Sequence, residues 1–209
     1  MTNSDGAFIL PPSVPQFHPN AGRRLCHWIL RQCGWRLAGR FPDEPRLVMI
    51  AAPHTSWWDG VWAMLFKVAI GVDIRFVAKR ELFRGPLGWA LNRLGAIPIK
   101  RSGADGLVEQ TVACFRERPE LWFGIAPEGT RRRGLPWKTG FWHIARNAGV
   151  PILPVYFDYP SRTIGIGQLF LPGDDMAADL AALQAFYQQF RGSHHDACGL
   201  AEGKYPRRD

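Results

Sequence analysis

Leu47-Val48-Met49-Ile50-Ala51-Ala52-Pro53-His54-Thr55-Ser56-Trp57-Trp58-Asp59 is the stretch on which the fold turns. Its apolar lead, Leu47 to Ala51, reads as a buried strand, and the run from Gly60 to Ile70 that follows Asp59 reads as a helix. His54 then stands at a strand end and Asp59 near a helix start. A histidine so placed can offer one ring nitrogen to a substrate proton while a carboxylate fixes the other N–H and stabilises the imidazolium. The same residues also fit a buried histidine bonded to backbone, with Asp59 as a helix N-cap. The rest of the chain has to choose between these.

Outward from that stretch, strands and helices alternate. Pro42 and Pro45 mark the start of the first strand; further strands are expected at Ile74 to Ala78, Ile97 to Ile99, Leu121 to Ile125, Pro151 to Tyr156 and Thr163 to Phe170. Helices are expected at Pro86 to Leu94, Asp105 to Arg118, Gly140 to Ala148 and Met176 to Phe190. Such alternation predicts an α/β fold, a single domain with a mixed, mostly parallel sheet flanked by helices. Loops at the carboxyl ends of its strands should converge on one crevice. His54, Lys79, Arg101 and the segment Glu128-Gly129-Thr130-Arg131 each follow an expected strand, and this shared placement favours the functional reading of His54 and Asp59.

The chain before the first strand divides in two. Residues 1–20 hold Pro11, Pro12, Pro15 and Pro19 with almost no charge and read as an irregular arm outside the core. Residues 21–45 read as a basic amphipathic helix with a linker. Over Arg23 to Arg40, Leu25, Trp28, Ile29, Cys33 and Leu37 recur at helical spacing among Arg23, Arg24, Arg31 and Arg40. Such an N-terminal amphipathic helix can lie in a membrane interface or cover the domain's own core. The catalytic domain is expected over residues 46–191. Residues 192–209 read as a flexible tail in which His194 and His195 are solvated.

Composition narrows the partners. Among 209 residues, 26 Lys and Arg stand against 18 Asp and Glu, so the net charge of +8 points to an anionic partner. A nucleic-acid module would carry its basic residues as a stripe with stacking groups, whereas here they follow strand ends one at a time, so no nucleic acid is expected. Cys26, Cys33, Cys114 and Cys198 form no zinc spacing or disulfide framework, and no metal is expected. No run approaches the ~20 apolar residues of a spanning helix, and no signal core is visible.

Together these groups suggest one chemistry. Lys79, Arg101 and Arg131 supply positive charge with forks that match phosphate oxygens, and Gly129 lets backbone N–H groups approach an anion. With no nucleophile elbow in sight, the base would act directly on a substrate hydroxyl. The expected reaction is attack by an alcohol, carried on a phosphate-bearing molecule, on an activated carbonyl. Water in place of the alcohol would make the chain a thioesterase-like hydrolase.

Four ordered blocks resemble the glycerolipid acyltransferase family that includes 1-acyl-sn-glycerol-3-phosphate acyltransferase. They are His54 with Asp59, then Gly95-Ala96-Ile97-Pro98-Ile99-Lys100-Arg101, then Pro127-Glu128-Gly129-Thr130-Arg131, and last Val150-Pro151-Ile152-Leu153-Pro154-Val155. Trp137-Lys138-Thr139-Gly140-Phe141 resembles the link between the last two, while Pro53 stands where asparagine is common in that family. The resemblance implies His54 as base with Asp59 as its partner. It places Lys79, Arg101, Glu128, Gly129, Thr130 and Arg131 at the acceptor's phosphate and glycerol region. It implies an acyl-CoA or acyl carrier protein donor, a lysolipid acceptor such as lysophosphatidic acid, and no cofactor. With the basic helix it also implies a peripheral place at an anionic membrane surface, on the cytoplasmic face of the cell membrane. Another lysolipid or an amino-lipid acceptor fits the same pattern.

Overall fold

The strand expected from Leu47 onward lies at the centre of the sheet, and its side chains alternate between two helical layers. The structure, a computed structural model, describes residues 10–17, 21–99, 103–129 and 136–193. In chain order the described elements are α1 (Ala21–Gln32), β1 (Arg36–Ala38), β2 (Arg46–Ala52), α2 (Trp57–Ile70), β3 (Ile74–Lys79), α3 (Gly85–Arg93), β4 (Ala96–Ile99), α4 (Gly103–Glu117), β5 (Leu121–Ile125), α5 (Gly140–Ala148), β6 (Ile152–Asp158), β7 (Thr163–Ile166) and α6 (Met176–Tyr187). Val48, Ile50 and Ala52 of β2 pack with Phe115, Phe141, Ile144 and Leu183 from α4, α5 and α6. Leu47 and Met49 pack on the other face with Leu30 of α1 and Phe66, Ala69 and Ile70 of α2. The two-residue period of a strand thus produces both halves of the core.

The sheet runs β1-β7-β6-β2-β5-β3-β4. Strands β6, β2, β5, β3 and β4 pair in parallel, with Ile50 opposite Ile125 and Ala52 opposite Tyr156. β7 is antiparallel to β6 and β1 parallel to β7, so the expected mixed, mostly parallel sheet is the one observed. The crossover from β2 to β3 passes over β5 with α2 on one face; that from β5 to β6 passes over β2 with α5 on the other. Right-handed crossovers that travel in opposite directions must use opposite faces. The loops leaving β2 and β5 therefore diverge, and a crevice opens between their carboxyl ends.

The helix expected from Arg23 to Arg40 is corrected: it stops at Gln32, and the chain turns into edge strand β1. Gly34 is the reason, since its φ of +74° is the left-handed conformation that ends a helix. Its N–H donates to the Arg31 carbonyl at 3.0 Å, and the Trp35 N–H donates to the Leu30 carbonyl at 2.9 Å. Trp35, buried beside Leu30, anchors that turn. Of the proline-rich start the structure describes residues 10–17, and these are not outside the core. Val14 is buried, Gln16 bridges Val72, and the Asp73 N–H donates to the Pro15 carbonyl. The last strand is shorter than expected, ending at Ile166, and Phe170 pairs separately with Ile152. The tail expected to be flexible lies outside the described residues from His194 onward, with His195.

Candidate functional site

Helix α2 begins one residue after Ser56, and its first turn builds the site. Ser56 is the N-cap, accepting the Trp58 N–H at 3.2 Å, and Asp59 closes a capping box by accepting the Ser56 N–H at 2.8 Å. Asp59 is therefore not the cap itself; it is the third helical residue, bonded back to the cap. The same carboxylate oxygen accepts the Thr55 N–H at 2.7 Å and lies 3.7 Å from Nδ1 of His54. That last separation is wider than a hydrogen bond, and such contacts in a free enzyme commonly tighten when substrate binds. Asp59 is wholly buried, whereas the His54 side chain retains 24% of its surface. One partner is held fast and the other faces the crevice.

From the far side of the crevice, Glu128 at the end of β5 reaches across. Its Oε1 accepts the His54 backbone N–H at 2.9 Å, which fixes the loop that carries the histidine. Burial pushes the Glu128 carboxyl up to about 7; the His54 N–H opposes the shift and the Asp59 charge adds to it. Near neutral pH Glu128 can thus be uncharged beside an anion. Gly129 follows with φ of +59°, and the stem of Lys138 lies across it where a Cβ would come within 2.7 Å. The Lys138 N–H donates to the Pro127 carbonyl at 2.8 Å, so the Trp137-Lys138-Thr139 link returns to the crevice.

A third strand contributes a residue that the sequence did not signal. Tyr159, just beyond β6, donates its hydroxyl to Oδ1 of Asp59, 100 residues away in the chain. Burial and then the Asp59 carboxylate hold this phenol in its protonated form. Tyr159 also lines an apolar groove of about 560 Å³ with Ile29 of α1, Cys33 just beyond it, and Trp58, Val61, Trp62 and Leu65 of α2. The helices that form the groove carry exposed apolar side chains: Leu25 and Trp28 on α1, and Trp57 stacked on Trp58 at 4.6 Å on α2.

The structure therefore brings together His54, Asp59 and Glu128, with Gly129 beside them. Lys79 is the last residue of β3 and pairs with Ile99 at the end of β4, on the same edge of the sheet. Arg101, Thr130 and Arg131 lie outside the described residues, as does the side chain of Lys79. Ser56 was legible in principle, three residues before an acidic residue at the head of an apolar run. Lys138 had been read only as part of a link.

An acyltransferase family model matches residues 28–158. The 1-acyl-sn-glycerol-3-phosphate acyltransferase of Escherichia coli (strain K12) is 40% identical to this chain over 101 residues, 44% of this chain and 40% of that protein. The protein of the same name from Streptococcus pneumoniae is 30% identical over 128 residues, 61% of this chain and 47% of that one. The matched stretches thus span less than half the length of these relatives. The crystal structure of the 1-acyl-sn-glycerophosphate (LPA) acyltransferase PlsC from Thermotoga maritima shares the fold, with a TM-score of 0.56 at 19% identity over 79% of this chain and 73% of that chain.

Proposed function

The chain belongs to the acyltransferase family, and from that premise we propose that it moves a fatty acyl group from an acyl-CoA or acyl carrier protein thioester to the hydroxyl of a lysophospholipid-like acceptor. Lysophosphatidic acid to phosphatidic acid is the reaction, and His54 is the general base. The observation that carries this is the ring nitrogen of His54 set 3.7 Å from a wholly buried carboxylate at the mouth of the crevice. With Nδ1 turned to Asp59, Nε2 is the nitrogen that meets the acceptor hydroxyl. It takes the proton as the oxygen attacks the thioester carbonyl. As the tetrahedral intermediate collapses, the C–S bond breaks and the imidazolium returns that proton to the leaving thiolate. Asp59 stabilises the transient imidazolium.

Substrate class follows from what surrounds the pair. The groove that Tyr159 lines is almost wholly apolar and suits an alkyl chain. Glu128, uncharged below about pH 7, does not repel an acceptor phosphate there. Gly129, which lets the chain pass close to an anion, and Thr130 follow Glu128 at the proposed phosphate position, and Lys79, Arg101 and Arg131 supply its counter-charge. None of the helices searched among the described residues is long and apolar enough to cross a membrane. Exposed Leu25, Trp28, Trp57 and Trp58, with exposed Arg24 and Arg31, support peripheral contact with an anionic lipid surface at the cytoplasmic face of the cell membrane.

The deciding experiment incubates purified protein with acyl-CoA or acyl carrier protein thioester and a panel of lysolipids and amino-lipids. Thiol release that depends on lysophosphatidic acid, with phosphatidic acid as product, is the expected result. Thiol release without any acceptor, giving free fatty acid, would assign a hydrolase instead.

A further inference from the structure

Asp59 faces the histidine of its own loop; two of its hydrogen bonds come from that loop and one from 100 residues further along the chain. Oδ2 is taken by the Thr55 and Ser56 N–H groups and by the approach of His54. Oδ1 has the Tyr159 hydroxyl. The phenol itself is held from three sides. Its ring sits edge-on against Trp35, with centroids 5.2 Å apart and planes at 86°. Its backbone N–H donates to the Arg191 carbonyl at 3.0 Å, and its carbonyl accepts the Arg162 N–H at 3.1 Å. Trp62, one turn beyond Asp59 on α2, lines the apolar groove beside it.

We infer that Tyr159 is a positioning residue for acyl transfer: its hydroxyl fixes the rotation of the Asp59 carboxylate so that Oδ2 stays aimed at Nδ1 of His54. A carboxylate held only by the two loop N–H groups can pivot about them, because both bonds fall on one oxygen. A donor on the other oxygen removes that freedom, and small displacements in such a constellation are costly to rate. The same residue lines the apolar groove. Tyr159 therefore meets both the base pair and the space proposed for the acyl chain, linking β6 to a site otherwise built from β2 and β5.

The inference rests on His54 and Asp59 acting as the base pair, and the test separates the two ideas. Tyr159→Phe keeps the ring against Trp35 and in the groove and removes only the hydroxyl. Loss of a charge-assisted hydrogen bond makes kcat fall about tenfold or more, at little change in thioester KM. With one donor fewer, the carboxylate presents more charge to the imidazolium, so the acid limb of the kcat profile moves to higher pH. Among the described residues the titratable groups around the pair are Glu128 from β5 and Tyr159 from the β6 end, with Tyr187 of α6 beneath Glu128. Asp59→Asn should slow the reaction on its own, and adding Tyr159→Phe to it should cost less than about twofold, since the hydroxyl acts through the carboxylate. If Asp59→Asn is slow while Tyr159→Phe has wild-type kcat and pH profile well below its melting transition, the positioning role is wrong and the base pair stands. If Asp59→Asn is itself fully active, the base-pair reading fails, and the inference with it.

Discussion

The two ends of α2 solve the same electrostatic problem with opposite results. At the N-terminus, where backbone N–H groups point outward and the helix end is positive, Ser56 and the Asp59 carboxylate satisfy them. At the C-terminus the exposed carbonyls are met by cations. Arg23 donates to the Ala69 carbonyl at 3.0 Å and the Ile70 carbonyl at 2.6 Å, and Gly71 closes the helix in the left-handed conformation. Lys67, buried in the last turn, donates to the carbonyls of Ile74 at the start of β3 and Leu94 at the end of α3. All of the cationic end is turned inward. At the anionic end one charge faces a half-exposed histidine, and the neighbouring Trp57 and Trp58 stand in solvent. A helix terminus becomes a reaction site when its compensating charge is shared with a group that can still reach a substrate; otherwise the same chemistry is a fastening.

That contrast can be broken in four places. His54→Ala should lower kcat by about 10²–10⁴-fold, or about 3–5 kcal/mol of barrier, with little change in the melting temperature. Turnover at the wild-type level would make the N-terminal end a fastening too. Lys67→Met should do the reverse, costing about 2–3 kcal/mol in urea unfolding while kcat stays near wild type. It strands two buried carbonyls on the side of the sheet away from the chemistry. A large fall in kcat would show that the two ends are coupled through α2.

Glu128→Gln probes the buried carboxyl beside the proposed base pair. Because the folded-state value is raised from 4.5 to about 7, the stability this group contributes is complete below pH 4.5 and is lost as the pH rises through about 7. The amide still accepts the His54 N–H and does not titrate. The variant should therefore gain about 2 kcal/mol on wild type between pH 5 and pH 8 in paired melting curves. An identical difference at both pH values would mean that Glu128 is ionised throughout. The smallest effect is expected from Arg23→Ala, about 1 kcal/mol, because water can reach the Ala69 and Ile70 carbonyls once the half-buried guanidinium is gone. Unfolding in urea measures it, and loss of vesicle binding in place of stability would return Arg23 to the headgroup role that the sequence suggested.

Short-range patterns were fully written in the chain. The alternation within Leu47 to Ala52 carries both faces of the core, the apolar runs mark the strands that end at the crevice, and the spacing of His54 and Asp59 lies within one loop and one helical turn. Each depends on neighbours a few residues apart, which strand period, helix period and capping chemistry govern. The fate of α1 lay at the margin. Gly34 stands in the sequence as a residue that weakens a helix, but nothing local said that Trp35 would bury beside Leu30 and turn residues 36–38 into an edge strand on β7.

Tertiary structure alone decided which distant groups meet. Arg23 looks like one more charge on a basic helix until α1 packs across the end of α2, 46 residues on. Glu128 can hold the His54 loop because β2 and β5 are neighbours whose crossovers diverge, and Tyr159 reaches Asp59 because β6 pairs with β2 on the other side. These contacts have no sequence period: they arise when loop-closure entropy is overcome by burying two faces of one sheet, and only then are strand ends gathered at one edge.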